Sequence, residues 1–95
     1  MKNLIVETSN VPDSQSFRAL IIAMIRKRFA KRKEITRLKV VISSTNNLAV
    51  PFEANIDMEL GQKDHIQTKA VSINYLSAFS QALARVERQL NKKRA

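Results

Sequence analysis

The run from Val50 to Leu60 constrains this chain more than any other segment. Val50, Phe52, Ala54, Ile56, Met58 and Leu60 alternate with Glu53, Asn55, Asp57 and Glu59. Successive side chains of a strand point to opposite faces, so the run predicts a strand with one apolar and one hydrophilic face. Such a strand belongs in a sheet packed on one side, with Glu53, Asp57 and Glu59 in water on the other.

The flanking segments supply the rest of that sheet. Leu38, Val40 and Ile42 share one face of a second strand, and Arg37, Lys39, Val41 and Ser43 the other. The polar cluster Ser43 to Asn47 is the turn between the two. Gly61-Gln62-Lys63-Asp64 predicts a hairpin into a strand from about Ile66 to Ser72. Near the N-terminus, Leu4-Ile5-Val6 with Thr8 forms a short β-branched run. Asn10-Val11-Pro12-Asp13 stops it, because Pro12 cannot continue a ladder.

Two segments carry the helical period instead. Phe17, Leu20, Ile21, Met24, Ile25 and Phe29 recur at spacings of three and four, after a candidate cap at Ser14 or Asp13. This helix runs into Arg26-Lys27-Arg28 and Lys31-Arg32-Lys33, where cations meet the negative end of the helix dipole. From Tyr75 to Lys93 the signature returns with Leu76, Phe79, Leu83, Val86 and Leu90. The order β-α-β-β-β-α predicts an α+β two-layer sandwich. Its four-stranded sheet, expected antiparallel, carries two helices packed on one face. Residues 1–95 form a single domain, with no internal repeat or low-complexity linker.

Composition excludes much chemistry. Without cysteine there is no disulfide framework, thiolate nucleophile or zinc-thiolate site. Gly61, the sole glycine, cannot build a phosphate-cradling loop. His65, the sole histidine, leaves metal sites and nucleophile triads short of parts. Glu53, Asp57 and Glu59 lie on one strand face, yet no second acidic strand or Gly-rich loop joins them. They are expected to be a solvated sheet face, with no catalytic residue, cofactor or metal. No secretory signal or apolar membrane span appears, so the expected compartment is the cytoplasm.

The formal charge is +9, and its distribution is informative. Residues 13–33 hold seven cations against Asp13, and residues 74–94 hold five against Glu87. The strand region 35–72 cancels. The excess therefore sits on two helices beside a neutral sheet, which suits a polyanionic partner. At about 100° per residue, Arg85, Arg88 and Lys92 lie opposite the buried stripe of the second helix. On the first, Lys27 and Lys31 flank the apolar stripe, while Arg26 and Lys33 point outward. Side by side on the sheet, the two rows would match several phosphates at once. No free amphipathic face remains for a membrane. Phe17, Phe29, Phe52 and Phe79 lie on or near apolar stripes, so the expected target is structured RNA bound by backbone and shape.

The element order, Leu38-Lys39-Val40-Val41-Ile42-Ser43 and the closing Val86-Glu87-Arg88-Gln89-Leu90-Asn91-Lys92-Lys93 resemble the hibernation-promoting factors. These belong with the ribosome-associated inhibitors once called sigma-54 modulation proteins. The likeness spans nearly the whole chain. Leu76-Ser77-Ala78-Phe79-Ser80 and Arg85-Val86-Glu87-Arg88-Gln89-Leu90 stand where the family has its last-helix segments, and Ser14 where it has a capping Thr. Three positions depart. Met24-Ile25-Arg26-Lys27-Arg28 replaces a Lys-Leu-x-Lys-Leu pattern, which puts Arg28 where a core Leu is usual unless Phe29 compensates. Leu76 replaces a tyrosine, with Tyr75 one place earlier.

The resemblance implies binding to the small ribosomal subunit in the channel where mRNA and tRNA decode, with ribosomal RNA as the main contact. Such an occupant blocks tRNA and initiation and protects idle ribosomes in stationary phase. It implies Lys27, Lys31, Arg85, Arg88, Lys92 and Lys93 as the cations that meet RNA. Because the chain stops at Ala95, directly after the helix, it also implies a short form that assists ribosome dimerisation with a second small factor. Two alternatives share the fold and charge: an RNA-binding domain acting outside the ribosome, and a modulator whose basic helices meet an acidic protein.

Overall fold

A computed structural model of the chain describes residues 3–9, 14–61 and 64–94. In order these form β1 (Asn3–Ser9), α1 (Ser14–Phe29), β2 (Arg37–Ser44), β3 (Phe52–Leu60), β4 (Asp64–Ser72) and α2 (Tyr75–Arg94). The breaker at Asn10 to Asp13, the side chains of the candidate caps Ser14 and Asp13, and the Gln62-Lys63 hairpin centre lie outside the described residues.

The four strands make one sheet in the order β1-β2-β3-β4. The hairpin-linked pairs β2–β3 and β3–β4 are antiparallel, with Ile56 opposite both Val40 and Thr68. β1 pairs parallel with β2, Val6 opposite Val40. The sheet is therefore mixed, not wholly antiparallel as expected. Its β1–β2 connection contains α1, and a helix that carries the chain back to its starting edge leaves both strands pointing the same way.

One sheet face is covered by both helices. Leu38, Val40, Ile42, Ala54, Ile56, Met58, Ile66 and Ala70 are buried there. They pack against Phe17, Ile21, Ile25 and Phe29 of α1, and against Ala78, Phe79, Ala82, Leu83, Val86 and Leu90 of α2. Each large apolar side chain removed from water contributes about 1.5–3 kcal/mol. Thr68 fastens β4 to α2 across this layer, its hydroxyl donating to the Ala82 carbonyl at 3.0 Å. Asn74 caps α2: its Oδ1 accepts the Ser77 N–H at 2.7 Å, satisfying a first-turn amide.

α1 ends at Phe29, short of the expected Lys31-Arg32-Lys33. Continuing the helix would bring Arg32 onto the stripe after Phe29, so no further apolar burial rewards another turn. The chain instead tightens, Arg32 N–H donating to the Phe29 carbonyl at 3.0 Å and Ile35 N–H to the Arg32 carbonyl at 3.3 Å. This drops Ile35 into the core. β3 starts at Phe52, two residues after Val50, because Pro51 lacks a ladder donor. Gly61 turns the β3–β4 hairpin at φ 79°, a conformation that side chains with a Cβ resist.

Candidate nucleic-acid interface

The two helices run parallel, N-terminus beside N-terminus. At one end the rings of Phe17 and Tyr75 lie 4.3 Å apart. At the other, the Arg28 guanidinium donates to the Glu87 carboxylate, and Arg32 Nη2 donates to Asn91 Oδ1 at 3.4 Å. Among the described residues no Cα of α1 comes within 8 Å of one on α2, so side chains alone bridge a groove between them. This geometry follows from the topology: each helix returns antiparallel to the strand before it, and β1 and β4 point the same way. The cation-rich halves of both helices therefore meet at one end of the molecule.

The six cations assigned from sequence divide there into two groups. Lys27, Arg88 and Lys92 are exposed on the helices, and Lys31 is exposed in the turn after α1, not on the helix as expected. None of the four has an ion-pair or hydrogen-bond partner among the described residues. Arg85 and Lys93 lean the other way, over β4. The Arg85 guanidinium donates to the Lys69 carbonyl, and Lys93 Nζ lies 2.6 Å from Asp64 Oδ1. The single outward row expected for Arg85, Arg88 and Lys92 therefore loses Arg85 to the sheet edge. Arg26 and Lys33 are exposed beside the four without a described partner, and extend the cationic end. Sequence reasoning counted Glu87 as the acid of the last helix but missed its pairing with Arg28, which offsets its charge across 59 residues of sequence.

The opposite sheet face, which holds Glu53, Asp57 and Glu59, is charge-compensated. The register sets Arg37 against Glu59 and Lys39 against Asp57. Arg37 pairs with Glu59 at 3.2 Å, Lys69 with Glu53 at 3.1 Å and Lys39 with Glu7 at 3.8 Å. Hydrogen bonds from Asn55 and Lys69 hold the Glu53 carboxyl below its ordinary value of 4.5. Asp57 Oδ1 is buried without a hydrogen-bond partner among the described residues, in a shallow depression shared with Lys39, Gln67 and Lys69. A face balanced in this way gives phosphates no net attraction.

Residues 5–95 match the model of the family described as sigma 54 modulation protein / S30EA ribosomal protein. The chain belongs to this family. A comparison with curated proteins finds no match. Among solved structures, a ribosomal subunit interface protein from Coxiella burnetii is similar with a TM-score of 0.80. It is 18% identical, and the likeness covers 97% of each chain. The N-terminal domain of Thermus thermophilus Protein Y is similar with a TM-score of 0.74 at 17% identity, over 95% of this chain and 97% of that one. At these identities the likeness is one of fold, and it matches the β-α-β-β-β-α order.

The departures from the family's sequence pattern have structural accounts. Phe29, the last residue of α1, is buried in the core, while Arg28 reaches outward to Glu87. Tyr75 packs between Phe17 and Phe52, the latter ring 5.5 Å away and edge-on, while Leu76 stays 39% exposed.

Proposed function

We infer that the protein is a ribosome hibernation factor. It occupies the decoding channel of the small ribosomal subunit with its helical face against ribosomal RNA. Occupancy excludes mRNA and tRNA, silencing translation and protecting the idle ribosome, without catalysis. The observation that carries this is the parallel alignment of α1 and α2. It gathers Lys27, Lys31, Arg88 and Lys92, all exposed and without a partner among the described residues, at one end of a two-helix face. Unpaired cations can replace phosphate counterions without first breaking internal contacts, so they supply the binding that salt screens. Family membership supports the ribosome as the partner, and cytoplasmic placement goes with it. Among the described residues no helix is long and apolar enough to cross a membrane. Assistance to ribosome dimerisation by a second small factor belongs to the same proposal.

The test is co-sedimentation with purified small subunits at physiological salt, with excess duplex RNA as competitor. Retention near one copy per subunit supports an addressed site. Complete loss to the competitor refutes it and leaves a general RNA binder. Pull-down of an acidic protein, with no subunit retained, favours a protein modulator instead.

A further inference from the structure

The N-terminal end of the same helical face carries a second, chemically different site. Leu20 and Leu76 belong to the apolar stripes of their helices, yet they are 45% and 39% exposed. With Phe17 and Tyr75 they wall a groove of about 520 Å³, rimmed by Ser16 and Asn74. That volume is in the range of small-ligand pockets. Its walls are apolar and aromatic. The lining residues Ser16, Tyr75 and Asn74 carry polar groups, and the Asn74 oxygen is committed to the α2 cap. A flat apolar body with polar edges is the complement of this arrangement, and a nucleobase has that form.

The groove and the cationic end are linked by one stripe of α1. Leu20, Met24 and Lys27 follow one another at i, i+4 and i+7 on α1, and a smaller depression beside Met24, Lys27 and Arg28 lies along the same stripe. Lys27 is therefore about 10 Å along the axis from Leu20. An RNA strand whose phosphates rest on Lys27 and its neighbours passes within a few nucleotides of the groove. α2 carries no acidic side chain in its first turn to repel that strand.

We propose that the groove between Phe17, Leu20, Tyr75 and Leu76 takes an unstacked nucleobase of the RNA whose backbone lies on Lys27, Lys31, Arg88 and Lys92. This rests on the RNA-binding reading above and adds an address to it: the cations attract any phosphate chain, whereas the groove requires a base that can leave its stack. Base contacts of this kind contribute without releasing counterions, so they are separable from phosphate contacts by their salt dependence.

The experiment measures affinity for small ribosomal subunits at several salt concentrations. The variants are Leu20→Ala/Leu76→Ala and, separately, Lys27→Ala/Lys31→Ala/Arg88→Ala/Lys92→Ala. Both leucines are exposed, and thermal melting checks that the fold persists. The groove variant is expected to bind about tenfold more weakly with an unchanged salt slope, in line with losing a stacked base. The cation variant is expected to lose slope. A photoreactive leucine analogue at position 76 is expected to cross-link to RNA in the bound complex. Unchanged affinity of the groove variant, or a cross-link to a ribosomal protein and none to RNA, overturns the base site and leaves the cationic interface standing. If the cation variant keeps full affinity and slope, the RNA-binding reading itself has failed, and the base site with it.

Discussion

Lys27, Lys31, Arg88 and Lys92 should account for the ionic strength dependence of RNA binding, and Arg85 and Lys93 should not. The first four have no intramolecular partner among the described residues. The other two are held over β4 by the Lys69 carbonyl and by Asp64. Each phosphate neutralised contributes about 0.7–0.9 to the slope of log K against log salt. Neutralising the four should therefore flatten the slope by about 3. Between 50 and 200 mM salt, where log salt changes by about 0.6, wild type should lose roughly 60-fold more affinity than the quadruple alanine variant. Lys93 must give up Asp64 before it meets a phosphate, so Arg85→Ala/Lys93→Ala should flatten the slope by less than about 1. Filter binding or fluorescence anisotropy with small subunits at five salt concentrations measures both. Equal slopes for the two variants, or a larger change for the Arg85/Lys93 pair, would refute the division of the surface drawn from the structure.

Phe29→Ala should destabilise the fold by about 3–5 kcal/mol in thermal or urea unfolding, because it empties a fully buried site at the end of α1. Arg28→Leu should change stability by less than about 1 kcal/mol, since the Arg28 side chain is 47% exposed and its pair with Glu87 is a surface one. Thr68→Val removes the donor to the Ala82 carbonyl and should cost about 1–2 kcal/mol, with no effect on the salt slope of RNA binding. The folded-state carboxyl of Glu53 titrates below 4.5, so its contribution is present above that pH and is lost as pH falls through the lowered value. In acid titrations followed by circular dichroism, Glu53→Gln should therefore lose less stability than wild type below about pH 4.5 and be closest to it at lowest pH.

What was legible in the sequence was what each element encodes within itself. The alternation from Phe52 to Leu60 fixes which face of β3 is buried, and Ala54, Ile56 and Met58 are indeed in the core. The stripe Phe79, Leu83, Val86 and Leu90 likewise places α2. Features set by pairs of distant elements were not legible. The parallel partner of β1 depends on where α1 returns the chain, and nothing in Leu4-Ile5-Val6 encodes it. Leu20 and Leu76 fit the helical period yet stay 45% and 39% exposed, because which turns of a stripe are covered depends on how the two helices sit on the sheet. The acids of β3 could be assigned to one face, whereas their neutralisation by Arg37 and Lys69 needs the register of two other strands. The cations were countable from the start; which of them remain unpaired depends on Asp64, Glu87 and the Lys69 carbonyl, contributed from elsewhere in the fold.

The parallel helices also determine what kind of anion receptor this is. Backbone sites for phosphate use helix N-termini, where amides and a partial positive charge face the ligand. Here the cationic side chains gather at the opposite ends, where each helix presents about half a negative charge. The main chain therefore opposes an approaching phosphate, and attraction depends on long side chains that reach beyond it. A receptor made this way works like bristles rather than a mould. Individual charges can shift by a residue, or turn inward as Arg28 does, while the backbone beneath keeps its shape.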